Sequence, residues 1–470
     1  MKKQVFLFIA VVFSWVVTAQ RSSLPIGVFD SGTGGLTVLE AILKLDAFNN
    51  RTGQPGADGV PDFQGEHFQY LADQANMPYG NYAAASKTDL LKEHVLKNMR
   101  FLLEKKAAVR NADLANPFMP SSKDPVKMLV IACNTATAYA LDDIRKFVST
   151  SGQGSVPVVG VINAGSLAAL NYQQKRKGTI GVFATAGTVA SNGYPRSLQQ
   201  MADSMGLGKL SIISQGGFGL AESIDRDWSF FAPDAKQLRQ DYKGPSLTHA
   251  AYPIDSTLLN VYGFVKTGNS LLCEYDDRGR CLELQLNDPV NYVRYHLVSL
   301  LEKMRQQSYA LPLNTLILGC THYPYLRDTI AAVLAELYHY RDKDGYRYQR
   351  VLQEHVELID PAVETAKEAY LTLRAQQLSI NGAYAVADGV HTVEDAFYIS
   401  VPNTRLKGIQ LQQDGWFTNE YKYGRNAGSG EEFVKFIPFD TQNIAAATYE
   451  RFQLLLPACY ERIRRFRQVK

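Results

Sequence analysis

The chain has 470 residues, 46% hydrophobic and 20% charged, a balance that suits a soluble globular protein long enough for more than one core. Its formal net charge of +3, with no long basic run, excludes nucleic acid as an expected partner.

At the start, Lys2 and Lys3 precede an apolar run from Val5 to Val17, which leads into Thr18 and Ala19. A charged start, a short apolar stretch and small residues form the pattern of a secretory signal peptide, residues 1–19, cleaved after Ala19. The run falls short of the ~20 apolar residues of a membrane-spanning helix, so no stable membrane insertion is expected. No cysteine follows the cleavage site to carry a lipid. The expected location is therefore outside the cytosol, in the periplasm.

Beyond the leader, apolar β-branched runs at 26–29, 128–132, 156–162, 179–183, 210–214 and 315–318 alternate with helical patterns such as 88–105 and 291–306. Buried strands alternating with helices predict an α/β protein with mainly parallel sheets. There is also an internal echo. Ile26-Gly27-Val28-Phe29 leads into Asp30-Ser31-Gly32, and Ile180-Gly181-Val182-Phe183 into Ala184-Thr185-Ala186. Each is followed downstream by a buried run ending in a cysteine, Ile131-Ala132-Cys133-Asn134-Thr135 and then Leu318-Gly319-Cys320-Thr321-His322. The same order twice predicts two related α/β halves.

Other stretches read as additions. Residues 49–66 are loop-like in composition, 111–124 are rich in Pro, Asn and Ser, 338–348 reads as a solvated helical arm, and 381–430 as irregular or antiparallel β. Residues 225–288 contain Cys273 and Cys281, which flank the turn residues Asp277-Arg278-Gly279. A β-hairpin with a cysteine on each arm is expected there, and a cross-strand disulfide is the hypothesis it raises. Cys459 lies in a helical pattern and reads as a small buried hydrophobe.

In open parallel sheets, ligands sit beyond the carboxyl ends of the strands, where Cys133 and Cys320 are both expected. Each is followed by small polar residues, and backbone N–H groups at a helix start would bind a carboxylate and lower a thiol pKa. Two thiols from two halves fit a reaction that removes a proton from one face of a carbon and returns one to the other. Such chemistry needs no metal and no pyridoxal phosphate, so no cofactor is expected. The Gly-rich turn after Asp30 matches neither the dinucleotide nor the P-loop pattern, and the eight histidines show no zinc-site spacing. Asp30 is placed to bind an ammonium or relay a proton, and His322 to tune the thiol two residues away.

Six segments resemble the glutamate racemase family of the aspartate/glutamate racemase superfamily. They are IGVFDSGTGGLTVL (26–39), MPYG (77–80), ACNTATA (132–138), GTIGVFATAGTVASNGY (178–194), LGCTHYPYL (318–326) and LIDPAVETA (358–366). The resemblance implies two flavodoxin-like lobes related by a pseudo-twofold, with the site between them. Residues 24–155 would begin lobe 1, 156–324 would form lobe 2 with its insertion at about 225–288, and 325–470 would return to lobe 1 with C-terminal additions. It implies interconversion of L- and D-glutamate, with Cys133 acting on the D enantiomer and Cys320 on the L. Asp30, His322 and Glu222 would assist. Asp30, Ser31, Tyr79, Gly80, Asn134, Thr135, Thr321 and His322 would bind the substrate. The expected partner is this amino acid, in support of cell-wall (peptidoglycan) synthesis, with a homodimer left open.

The sequence also departs from the family. Asp73-Gln74-Ala75-Asn76 replaces the more usual Asp-Ser/Thr-Ala-Arg/His, and a leader peptide is unexpected for an enzyme of cytosolic D-glutamate supply. Two other readings stay open. One is a racemase for aspartate or another amino acid, the other an exported protein that only captures an amino acid.

Overall fold

Strand Ile26–Asp30 is buried at all five positions, as a strand must be when helices cover both faces of its sheet. It lies in register between Phe68–Ala72 and Met128–Ile131, parallel to both. The computed structural model describes residues 21–113, 115–152, 156–307, 311–380 and 394–468. The expected signal peptide lies outside the described residues, as do 381–393.

The contacts divide the chain into two units, Met1–Ala164 with Ala362–Lys470, and Gly165–Pro361. The sheet of the first unit runs Val434–Pro438, Ala396–Pro402, Phe68–Ala72, Ile26–Asp30, Met128–Ile131, Val158–Gly160. All are parallel except the terminal Val434–Pro438. The second unit has a fully parallel sheet in the order Leu352–Ile359, Leu313–Gly319, Thr179–Ala184, Ser211–Gly216. Numbered within each unit, the second, first, third and fourth strands stand side by side in both sheets, the order that begins a flavodoxin-like sheet. The two halves expected from the sequence echo therefore share a topology. The echoed glycine has a packing reason in the second unit, where a Cβ at Gly181 would lie 2.7 Å from Leu316 Cδ1 and 2.8 Å from Leu313 Cδ1.

The unit boundaries differ from the expected 155/156 and 324/325. Val158–Gly160 pairs with Met128–Ile131 and so stays in the first sheet. Leu352–Ile359 pairs with Leu313–Gly319, which keeps the chain in the second unit through Pro361. Three additions take definite form, and the arm among them differs from expectation. Part of 111–124 is a strand, Phe118–Ser122, paired antiparallel with Lys106–Arg110. The arm at 338–348 is not a helix: Arg341–Asp342 and Gly345–Tyr346 form a small hairpin, turned by Asp342 accepting a hydrogen bond from the Asp344 N–H. Tyr348 is buried and donates to Glu302. Within 381–430, Ala396–Pro402 is a fully buried sheet strand.

The insertion at 225–288 folds within the second unit and carries the antiparallel hairpin Leu271–Tyr275 and Cys281–Leu286. Cys273 and Cys281 are joined by a disulfide. Cys459 is fully buried, and its thiol donates to the Leu36 carbonyl.

One buried ion pair closes the base of the first sheet. Lys127 Nζ lies 2.5 Å from Glu66 Oε2, the side chains 0% and 5% exposed, and also donates to the Ser22 carbonyl. Removing one partner of such a pair strands the other charge out of water and costs about 3–5 kcal/mol. Lys127→Ala is thus expected to lower the urea unfolding free energy by that order, while Lys127→Met combined with Glu66→Leu recovers much of the loss. Equal stability of the single variant and the parent would refute the assignment.

Candidate active site

In the first unit, Phe29 pairs with Ile131, so Asp30, the last residue of its strand, stands beside Ala132, and Cys133 follows. Cys133 is 5% exposed. It N-caps helix Asn134–Thr150, its sulfur accepting from the Ala136 N–H at 3.4 Å. Its thiol also donates to Ser31 Oγ at 3.5 Å. Asp30 Oδ2 accepts from the Gly35 N–H at 2.7 Å and the Gly32 N–H at 3.4 Å. This turn is tight: a Cβ at Gly35 would lie 2.4 Å from Asp30 Cβ and 3.1 Å from Ala132 Cβ.

Burial raises the Asp30 carboxyl above its usual range, against the lowering effect of N–H groups at Gly35, Ser31 and Gly32. Cys133 corrects an expectation. Its place at a helix start pulls the thiol pKa down, but burial and then the Asp30 charge outweigh that and push it up to about 12. A dry, anionic neighbourhood favours the neutral thiol, whatever the helix dipole contributes.

Tyr79 and Gly80 open helix Gly80–Ala84. The Tyr79 hydroxyl is committed to the buried Asp73, donating to Oδ2 at 2.5 Å. Asn76, Asn98 and Ser400 donate to the same carboxylate. The Tyr79 phenol is thus engaged within the first unit. The C-terminal addition braces it too. Lys422 Nζ donates to the Met77 carbonyl at 2.6 Å, and Arg425 donates to Asn76 Oδ1 at 3.0 Å. The guanidinium of Arg425 is held among the rings of Phe417, Tyr421 and Phe433. A basic group thus reaches position 76, where the family more usually has Arg or His, from 349 residues away in sequence.

In the second unit, Ala184 and Gly319 end the paired first and third strands, and Cys320 follows, 5% exposed. His322 Nδ1 lies 3.7 Å from Cys320 Sγ and 3.4 Å from Thr321 Oγ1. On the other side of the ring, Nε2 is 3.1 Å from Asp225 Oδ2. Burial disfavours the imidazolium, but the hydrogen bonds to Asp225 and Cys320 and their negative charges outweigh it, raising His322 to about 10. Glu222, the acidic helper implied by the resemblance, lies one turn earlier on helix Leu220–Ile224. Desolvation raises its carboxyl, and it feels His322 only as a neighbouring charge. The close contact to His322 is made by Asp225, a residue that the sequence motifs do not single out.

Among the described residues, no cluster of three or more His, Cys, Asp and Glu side chains gathers as a metal site. No helix among them is long and apolar enough to cross a membrane.

No protein-family model matches the chain. It is 26% identical over 372 residues to a glutamate racemase of Lactobacillus johnsonii, covering 79% of this chain and 89% of that one. A glutamate racemase of Levilactobacillus brevis is 27% identical over 354 residues, 75% of this chain and 80% of the relative. The chain resembles the glutamate racemases. Among solved structures, glutamate racemase isoform RacE1 of Bacillus anthracis aligns with a TM-score of 0.43 at 24% identity, covering 76% of this chain and 85% of that one. The flavodoxin-like fold is read here from the strand order itself.

The surroundings of Cys133 predict a poorly reactive thiol. With Cys133 near 12 against a free thiol near 8.5, its thiolate fraction at neutral pH is lower by roughly three orders of magnitude. Peptide-resolved iodoacetamide labelling of the folded protein at neutral pH is expected to leave Cys133 almost unmodified. Labelling at the rate of a free thiol would overturn this.

Proposed function

We propose that the chain is a cofactor-independent glutamate racemase, an isomerase that interconverts L- and D-glutamate by α-proton exchange with Cys133 and Cys320. One observation carries the reading. Two units of the same strand order each bring a buried cysteine to the carboxyl end of the third strand, with a titratable partner close by. Curated relatives named glutamate racemase, matched over most of their length, favour glutamate as the substrate.

From L-glutamate, the Cys320 thiolate takes the α-proton. The Cα–H bond breaks and its electron pair moves into the substrate carboxylate. The Cys133 thiol, on the other face, gives its proton to Cα. One C–H bond is lost and one formed, and the two sulfurs exchange protonation. The high pKa of Cys133 suits the proton-giving role. In the reverse direction Asp30, next to that thiol and itself raised by burial, is the nearby group to accept its proton. Backbone N–H groups at the start of helix Asn134–Thr150 are suited to the growing carboxylate charge. Losing one such preorganised donor typically costs about 3 kcal/mol of transition-state stabilisation.

The test is incubation of the purified protein with L- or D-glutamate in deuterated water, without added cofactor. Racemisation with α-deuterium incorporation is expected, with kcat falling by at least about a thousandfold in Cys133→Ala and in Cys320→Ala. Exchange with aspartate but not glutamate would move the substrate assignment. Binding without exchange would replace catalysis with capture.

Export to the periplasm is part of the proposal, supported by the leader pattern and by the Cys273–Cys281 bridge, since disulfides persist in oxidising compartments. Protein from the periplasmic fraction is expected to begin at Gln20, with residues 273 and 281 labelled only after reduction. Full-length protein confined to the cytosol would refute export.

A further inference from the structure

The two units differ in where the carboxylate near the thiol comes from. In the first, the residue ending the first strand is Asp30, whose charge acts directly on Cys133. The corresponding position in the second is Ala184, paired with Gly319 just before Cys320, so that strand brings no carboxylate. What stands near Cys320 instead is a relay of side chains from two segments. His322 presents Nδ1 to the sulfur at 3.7 Å and Nε2 to Asp225 at 3.1 Å.

Asp225 is held in place by local structure. It caps the end of helix Leu220–Ile224, its N–H bonded to the Ala221 carbonyl. The next residue, Arg226, takes a left-handed backbone with φ 60°, a conformation that costs a non-glycine residue energy and marks an over-determined turn. The ring is thus fixed from both nitrogens, and a carboxylate on one nitrogen sets which tautomer and charge state faces the other.

We infer that Asp225, rather than Glu222, is the positioning residue of the Cys320 side, forming a Cys320–His322–Asp225 array in which the carboxylate orients the imidazolium toward the sulfur. This deepens the racemase reading and rests on it. The array sets an imidazole, with its carboxylate behind it, next to Cys320, where Cys133 instead feels Asp30 directly. The two cysteines thus stand in different surroundings, one beside a carboxylate and the other beside an imidazole. The charged and titratable groups that bear on His322 are Cys320, Asp225 and, as a charge only, Glu222, with the neutral Thr321 hydroxyl also at Nδ1; the neighbouring Tyr323 phenol donates to the Gly217 carbonyl.

The test combines kinetics with imidazole NMR on the full-length folded protein. In the unsubstituted protein, His322 is expected to titrate near pH 10. In Asp225→Asn it should move down toward the ordinary histidine value of about 6.5, and kcat should fall about ten- to a hundredfold with KM changed by less than about threefold. Asp225→Glu should restore most of the titration shift and part of the rate, which a merely structural role would not require. Glu222→Gln should shift the histidine less and cost less rate. An unmoved His322 titration in Asp225→Asn, or a larger shift in Glu222→Gln, overturns the inference. The NMR arm needs no turnover. Absence of racemisation in the unsubstituted protein would therefore sink the proposed function, while the His322 titration would still decide the pairing.

Discussion

The organisation of both units depends on one constraint, the in-register parallel pairing of the first and third strands. Phe29 pairs with Ile131, and Phe183 with Leu318, so the residues leaving the sheet at these strands emerge side by side. Whatever chemistry the chain carries at the carboxyl edge is therefore written in pairs, Asp30 with Ala132 and Cys133, and Ala184 with Gly319 and Cys320. A slip of one residue in either pairing would turn every side chain of the strand to the opposite face and separate the thiol from its neighbours. Packing enforces the register, since Gly181 and Gly35 sit where a Cβ would collide with side chains of adjoining strands or turns.

The same scaffold supports two different electrostatic environments. In the first unit, dehydration and a direct anionic neighbour hold a thiol in its neutral form. In the second, an imidazole stands next to the sulfur, with the carboxylate behind it. Two copies of one topology have thus diverged at a handful of edge positions while the sheets below kept their order. The C-terminal addition belongs to this picture as well. Lys422 and Arg425 reach the segment before Tyr79 and supply cations there that the local sequence lacks.

Much of this was legible in the sequence because buried parallel strands are short continuous apolar runs, and the four that carry the echoed motifs are of that kind. Less legible were strands that mix polar and apolar residues. Phe68–Ala72 holds Gln69, whose side chain is satisfied inside the protein by donating to the Asp124 carbonyl. Leu352–Ile359 is partly exposed at the sheet edge and reads as polar. The hairpin at 273–281 announced itself through its turn residues. The role of Asp225 could not be read in the same way, because it arises from a contact between residues far apart in sequence, and the motif pointed to Glu222. The pKa of Cys133 was also misjudged, since sequence shows the helix start but not how completely the sulfur is enclosed.

The short hairpin bridge has a bearing on how such a chain reaches its active form. Exported as proposed, the chain would fold where thiols are oxidised, with five cysteines open to mispairing. Closing a loop of 8 residues is entropically easier than closing the 39 from Cys281 to Cys320, by about 1.4 kcal/mol or roughly tenfold in effective concentration. Cys273 and Cys281 are thus each other's most accessible oxidation partners, and Cys459 is sealed against the Leu36 carbonyl. The insertion thus carries, beside Asp225 at its start, the cysteine pair whose joining asks least of the chain.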